Sequence, residues 1–203
     1  MSQKWNERYA AKEYAYGEAP NNFFKEQIEK VPIGKILLPA EGEGRNAVYA
    51  AQLGWEVYAF DQSIEGKHKA LRLAEKKNMK IVYDVAEFNA SSYIDNYFNL
   101  IALIYAHFPS HVKSEYHKKL TQYLKSNGIV IFEAFSKKHL EFREKSPEVG
   151  GPENLEMLFS LDEIKSDFHN FEIILLEERS IQLSEGEFHK GEGSVIRFVG
   201  RKL

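Results

Sequence analysis

Cysteine is absent from this chain of 203 residues. Its absence excludes a disulfide framework, a thiolate nucleophile and any thiolate-ligated metal or cluster, and it suits a reducing compartment. Long apolar runs are missing too. The longest, Leu100 to Ala106, falls far short of the ~20 residues that span a bilayer. The stretch Met1 to Arg8 is polar and lacks the apolar segment of a secretory signal. Charge of one sign is not in excess: 27 Lys and Arg stand against 30 Asp and Glu, interspersed along the chain. Such a balance makes no broad field to hold a polyanion. The seven histidines show no H-E-x-x-H or similar spacing, so no metal site is expected. There is no internal repeat and no linker rich in Pro, Gly or Ser. The length suits one good core and not two. These absences describe a soluble, cytoplasmic, single-domain protein whose partner is neither nucleic acid nor membrane; a monomer or homodimer is expected, though the sequence does not choose between them.

What is present is an alternation of strands and helices. Lys35 to Pro39 reads as a strand, Arg45 to Leu53 as a helix stopped by Gly54, and Trp55 to Phe60 as a strand. A helix is expected over Ile64 to Asn78, with Ala70, Leu71, Leu73 and Ala74 on one face and lysines largely on the other. Ile81 to Tyr83 is a short third strand. The unbroken apolar stretch Phe98 to Tyr105 has the character of a strand buried on both faces. His111 to Lys125 should be a helix ending at Ser126-Asn127-Gly128, with the next strand at Ile129 to Phe135. A last helix near Leu161 to Phe168 precedes two strands, Phe171 to Leu183 and Ser194 to Lys202. No helix separates them, so they should form an antiparallel hairpin around the loop Ser184 to Gly193. The expected fold is α/β: a Rossmann-like, doubly wound, seven-stranded and mostly parallel sheet in a three-layer αβα sandwich, with that hairpin at its edge. Residues 1–34 are expected to form a helical, aromatic cap, 35–135 the cofactor-binding core, and 136–203 the substrate side and hairpin.

The most informative segment is KILLPAEGEGRNAVYAAQLGWEVYAFDQS, residues 35–63. A strand runs into Gly42-Glu43-Gly44, a helix begins at once, and the second strand ends on Asp61. Glycines let the backbone turn tightly and approach a ligand. The helix N-terminus offers free N–H groups, and an acid at the end of the neighbouring strand can accept both hydrogen bonds of a ribose diol. These features describe an adenosine-binding crevice. Gly42-x-Gly44-x-x-Ala47 also satisfies the dinucleotide fingerprint, which leaves a nicotinamide cofactor open. The bland reading is a sharp turn, with Asp61 capping the next helix. Two features favour a methyl donor over a nicotinamide: the C-terminal hairpin, where a dinucleotide fold would continue as strand-helix-strand, and the aromatic helical extension before the first strand.

These residues resemble the class I S-adenosylmethionine-dependent methyltransferases, closest to the small bacterial branch around the tellurite-resistance and thiopurine-type enzymes. The likeness rests on Trp5-Asn6-Glu7-Arg8-Tyr9, Tyr14-Ala15-Tyr16-Gly17 and Pro20-Asn21, on Gly42-Glu43-Gly44-Arg45-Asn46-Ala47, and on Glu185-Gly186, His189, Gly191 and Val195-Ile196-Arg197. The resemblance implies S-adenosyl-L-methionine as cofactor and methyl transfer to a small molecule. It implies that Ala40, Glu41, Gly42, Glu43, Gly44 and Asn46 form the cofactor loop beneath the methionine part, that Asp61 holds the ribose and Gln62 lies along the adenine. Asp84, Val85 and Ala86 would contact the adenine edge, and Tyr105 to His107 would line the donor methyl. The chain departs from the family at Leu38-Pro39-Ala40-Glu41, where an acid and a first glycine are usual. That departure keeps a second reading alive, an S-adenosylmethionine-binding protein without robust catalysis. A nicotinamide-dependent oxidoreductase ranks third.

Methyl transfer from a sulfonium asks a protein mainly to align the reactants and exclude water. A base is needed only when the acceptor arrives protonated. His107, after the fourth strand, is the first choice for that role; its bland reading is a loop histidine satisfied by backbone. His189 could reach the acceptor if its loop folds over the pocket, and Glu133 could point either into the pocket or at a helix N-terminus. Trp5, Tyr9, Tyr14 and Tyr16 are candidate lid residues whose rings could face a cationic sulfonium, or simply core. The long stretch Ser136 to Ser160 is expected to wall the substrate side. The acceptor itself is not written in the sequence: thiols, selenium or tellurium oxyanions, aromatic hydroxyls and amines all stay open.

Overall fold

The computed structural model of the protein describes residues 2–88 and 92–203. Among the described residues, seven strands form one sheet in the order β3-β2-β1-β4-β5-β7-β6. They are β1 (Lys35–Pro39), β2 (Glu56–Asp61), β3 (Val82–Val85), β4 (Phe98–Ile104), β5 (Leu124–Phe135), β6 (Phe171–Glu185) and β7 (His189–Lys202). The first five are parallel, and β7 runs antiparallel to both β5 and β6. The helices are α1 (Ser2–Tyr9), α2 (Asn22–Ile28), α3 (Arg45–Gln52), α4 (Ile64–Lys76), α5 (Lys113–Tyr123), α6 (His139–Lys145) and α7 (Leu161–Asp167). The seven-stranded doubly wound sheet with its edge hairpin is the architecture the sequence predicts.

Alternation along β4 explains why its apolar run is unbroken. Ile101 and Leu103 pack on one face with Phe132, Phe159, Ile164, Phe168 and Phe198, beneath α5 and α7. Leu100, Ala102 and Ile104 pack on the other with Phe23, Phe24, Ile28, Ala47, Ala50 and Ala70, beneath α2, α3 and α4. A strand covered on both faces must be apolar at every position. Truncating a fully buried ring such as Phe132 would cost about 3–5 kcal/mol.

Three expectations are corrected. Helix α5 starts at Lys113 and stops at Tyr123, and β5 begins at once, so Ser126-Asn127-Gly128 lies within a strand. Leu124 pairs with Phe98 but Ile129 pairs with Leu100, so residues 125–128 bulge out, with Asn127 at φ 61°. The hairpin loop shrinks from Ser184–Gly193 to Gly186–Phe188, because both strands continue in register to Glu185↔His189. Ser136–Ser160 is no open loop: it carries α6 and two short 3₁₀ turns, Pro147–Val149 and Leu155–Met157. The cap is two short helices joined by a non-helical stretch that carries Tyr14, Ala15, Tyr16 and Gly17.

Candidate functional site

The chain reverses strand order between β1 and β4, and in folds of this kind the candidate crevice lies there, at the carboxyl ends of the parallel strands. Its floor is the turn after β1. Gly42 at φ 64° and Gly44 at φ 87° take left-handed conformations, and a Cβ on Gly44 would lie 2.5 Å from that of Ala70. Glycine is required there because α3 starts against α4. Ala40 is also left-handed, at φ 53°, the position where the departure from the family's glycine fell.

Asp61 ends β2 beside this turn. Its carboxylate accepts the Gly42 N–H at 3.1 Å and the Ser63 N–H at 2.9 Å. The helix that follows is capped by the Ser63 hydroxyl rather than by Asp61. Burial pushes the Asp61 carboxyl up to about 6, against the pull of its backbone donors. The register Asp61↔Val85 sets Asp84 and Val85 beside it, and the Ala86 N–H binds the Asp61 carbonyl at 3.0 Å. Gln62 is half-buried next in line. Tyr83 fastens the turn to β3, its hydroxyl donating to the Gly42 carbonyl at 2.6 Å.

The three acidic and amide side chains of the turn are committed within the protein. Glu41 reaches over the start of α3 and accepts the Asn46 and Ala47 N–H groups at 2.8 and 2.7 Å, capping a helix that Gly44 cannot cap. Burial raises its carboxyl to about 7. Glu43 pairs with the buried Lys69 at 2.7 Å and accepts the Ala15 N–H at 2.8 Å. The Asn46 side chain accepts the Asn21 N–H at 2.9 Å. Glu43 and Asn46 therefore turn toward the cap.

Helix α1 lies over that crevice. Tyr9 is buried with its hydroxyl 2.7 Å from where a Gly42 Cβ would be, Trp5 stacks on it with centroids 5.5 Å apart, and Ser63 donates to Asn6 at 2.6 Å. Arg8 donates to the Tyr16 hydroxyl at 2.8 Å and lies 4.4 Å from the Phe188 ring centre. The β6–β7 turn closes against the same cap: the Glu187 N–H binds the Ala15 carbonyl at 3.0 Å. A Cβ on Gly186 would sit 2.2 Å from that carbonyl oxygen.

This fold-over packs His189 between Tyr16 of the cap and Tyr105. Tyr105, at φ 52°, follows β4 with its ring centre 4.6 Å from His189 and 4.7 Å from Phe135. Its buried hydroxyl has no hydrogen-bond partner among the described residues. His189 Nδ1 lies 3.0 Å from Glu185 Oε2; Glu185 also receives Arg45 at 3.0 Å and Asn21 at 2.9 Å. Burial raises the Glu185 carboxyl, but the His189 hydrogen bond and the Arg45 charge outweigh it and bring it down to about 2. Glu133 takes the second of its two sequence readings: fully buried, it binds Asn21, the N-cap of α2, at 2.7 Å, and pairs with Arg197.

His107 is placed differently from the sequence expectation. Its Nδ1 faces the Met157 carbonyl at 3.0 Å and its Nε2 accepts the Phe135 N–H at 3.4 Å. Both ring nitrogens are held by backbone, and burial lowers the ring to about 4. No lone pair is left for an acceptor. Sequence reasoning missed Asn21, Lys69, Tyr83, Glu185 and Arg197 as parts of the site. Asn21, Glu185 and Arg197 left a trace, as parts of the motifs that carry the resemblance, and Lys69 and Tyr83 left none.

Among the described residues no group of three His, Asp or Glu side chains is placed to hold a metal ion, and no helix is long and apolar enough to cross a membrane.

Several solved structures share this fold. One similar structure belongs to a study of the conversion of a disulfide bond into a thioacetal group during echinomycin biosynthesis, at TM-score 0.78 and 16% identity over 100% of this chain and 92% of that one. TehB from Haemophilus influenzae matches at TM-score 0.72 and 16% identity, covering 100% and 67%. Magnesium protoporphyrin IX methyltransferase from Synechocystis PCC 6803, with bound SAH, matches at 0.66 and 13%, covering 100% and 83%. Comparison with curated protein sequences finds no match. A family model described as tellurite resistance protein TehB matches residues 3–199. The resemblance read from the glycine turn and the C-terminal motif thus extends over nearly the whole sequence, and the chain belongs to the TehB family.

Proposed function

We propose that the protein binds S-adenosyl-L-methionine in the crevice between β1 and β4 and transfers its methyl group to a small-molecule acceptor. The observation that carries this reading is the Asp61 carboxylate, held beside the glycine turn by the Gly42 and Ser63 N–H groups. A carboxylate so oriented at the end of β2 suits a ribose diol.

The residues present fit an adenosyl group. Asp61 would hold the ribose, Gln62 the adenine face, and Asp84, Val85 and Ala86 its edge; the backbone of Ala40 to Gly44 would pass beneath the methionine part. The bound cofactor supplies an activated methyl group. The chain does the rest: Tyr9 and Trp5 on α1 cover the crevice and exclude water, while Tyr16, Tyr105 and Phe135 present aromatic walls toward the acceptor side. Alignment and desolvation of this kind supply most of what methyl transfer needs. The acceptor would enter between the cap and the β6–β7 turn, with the segment from α6 to Ser160 as the outer wall. The same reading makes the protein a cytoplasmic enzyme, monomeric or dimeric, that needs neither nucleic acid nor membrane.

Binding without robust turnover is supported by Ala40, whose left-handed φ of 53° strains the loop beneath the methionine part. The two readings separate on S-adenosylhomocysteine release. Purified protein is incubated with the methyl donor and thiol, phenol, amine, selenite and tellurite acceptors. Release with one acceptor, abolished by Asp61→Ala, supports the enzyme; none with any acceptor, despite donor binding, favours the binding protein.

A further inference from the structure

The carboxylate proposed to hold a ribose is not open to one. Asp61 is 7% exposed, and Ser63 beside it is wholly buried. What lies over them is α1. Ser63 donates to the Asn6 side chain at 2.6 Å. Tyr9 is wedged between the glycine turn and the first turn of α4, its hydroxyl 2.7 Å from where a Gly42 Cβ would be and its ring 3.2 Å from the place of a Gly66 Cβ. That hydroxyl is pushed well above its ordinary value by burial and then by the Asp61 charge. For a diol to reach the carboxylate, this cover has to move.

The attachments of the cap fall into two groups with a bare stretch between them. Beyond Lys12 the chain is anchored. Lys69 donates to the Glu13 carbonyl at 2.5 Å and Tyr14 to the Lys69 carbonyl at 3.1 Å, and Ala15 is held by Glu43 on one side and the Glu187 N–H on the other. Helix α1 is held by side chains: Asn6 on Ser63, Tyr9 in its slot, and Arg8 on the Tyr16 hydroxyl and over the Phe188 ring. Between the two groups Ala10, Ala11, Lys12 and Glu13 are exposed and non-helical. Among the described residues Ala11 and Lys12 make no hydrogen bond or ion pair. A stretch with so few contacts is where a backbone turns most easily.

We propose that α1 is a gate over the donor site, hinged at Ala10 to Lys12 and latched by Asn6 on Ser63, and that the methyl donor enters and its demethylated product leaves only when the latch opens. The gate rests on the adenosyl reading and adds to it the step that controls exchange. Opening breaks one side-chain hydrogen bond, the Arg8 contacts and the burial of Tyr9. The anchor at Glu13 to Ala15 and the Glu43–Lys69 pair stay intact. The start of α4 does not depend on the latch, since the Ser63 hydroxyl accepts the Gly66 N–H at 3.1 Å and needs no Asn6 to do so. Breaking so few contacts fits the microsecond-to-millisecond range of lid motions. Closing returns Trp5 and Tyr9 over the site and shuts water out.

The chain has no cysteine, so Asn6→Cys with Ser63→Cys introduces the only two thiols, placed at the latch. With the disulfide formed, uptake of tritiated S-adenosylhomocysteine in rapid filtration should be at least ~10-fold slower than in the same protein reduced, and dithiothreitol should restore it. Asn6→Ala, which keeps the Ser63 cap, should speed both uptake and release roughly 5-fold, the factor expected for one hydrogen bond. Hydrogen exchange in the ligand-free protein locates the hinge: Asn6→Ala should raise exchange over residues 5–9 and leave 13–17 unchanged. Thiols that fail to oxidise, equal uptake in the oxidised and reduced forms, unchanged rates in Asn6→Ala, or faster exchange over both segments would each overturn the gate. Calorimetry on the unmodified protein keeps the two claims apart. Binding of S-adenosylhomocysteine alongside any of those results removes only the gate, whereas no binding at all removes the adenosyl reading and the gate with it.

Discussion

Glu43 and Lys69 lie 2.7 Å apart with both side chains almost wholly buried, and this ion pair fastens the N-terminal cap to the glycine turn. Lys69 also binds the Glu13 carbonyl, and Glu43 the Ala15 N–H at 2.8 Å. Removing one partner leaves a buried charge unpaired. Lys69→Met is expected to destabilise the fold by about 3–5 kcal/mol in urea denaturation, and the double variant Lys69→Met, Glu43→Leu by distinctly less. A loss in the double variant equal to the sum of the Lys69→Met and Glu43→Leu losses would show the pair to be uncoupled.

Ala40 holds a left-handed backbone that costs a non-glycine residue roughly 1–2 kcal/mol. Ala40→Gly relieves that strain and adds freedom to the unfolded chain, so a net gain of up to about 1 kcal/mol is expected. The same denaturation experiment reads it. Destabilisation by Ala40→Gly would mean that the methyl group contributes more by packing than its backbone loses.

Asp61 and Glu41 titrate with opposite consequences for stability and for binding. Their folded values, about 6 and about 7, lie above the ordinary carboxylate range because of burial. A group raised in this way stabilises the fold fully at pH near 4, and that contribution is lost as pH rises through 6 to 7. Glu41→Gln should therefore flatten the fall in stability over that window. Cofactor affinity should move the other way, rising between pH 5 and 7 as Asp61 becomes anionic. Calorimetry at pH 5, 6 and 7 checks this, and Asp61→Asn should abolish the trend.

His107 holds the Met157 segment to β5 and touches no ligand in this account. His107→Asn should destabilise by about 1–3 kcal/mol, since it orphans buried backbone groups, while affinity for S-adenosylhomocysteine stays within about 2-fold. A loss of that affinity would put His107 back among the ligand-facing residues.

The parallel half of the sheet and the glycine turn were legible because each is a local signal. Strand-length apolar runs, a glycine at each tight turn and an acid at a strand end all lie within a few residues of one another. The hairpin was harder. Gly186, Gly191 and Gly193 with their charged neighbours read as loop, yet Gly193 is a strand residue against which the His139 ring packs, leaving 3.0 Å to any Cβ. The direction in which a turn residue faces was not legible at all. Glu41, Glu43 and Asn46 sit in the cofactor motif, but their side chains serve helix α3 and the cap. Partners such as Arg45 with Glu185, or Asn21 with Glu133, are more than a hundred residues apart and meet only once the sheet has formed. His107 shows the same limit, because its carbonyl partner comes from the segment after β5.

Calorimetric titration reads the binding of an adenosyl methyl donor beside Asp61 without needing an acceptor. S-adenosylmethionine and S-adenosylhomocysteine should bind with micromolar affinity and NAD not at all, and Asp61→Ala should lose at least about 10-fold in affinity. A protein that binds neither sulfur compound, or binds both equally well without the Asp61 carboxylate, would contradict the proposed donor site.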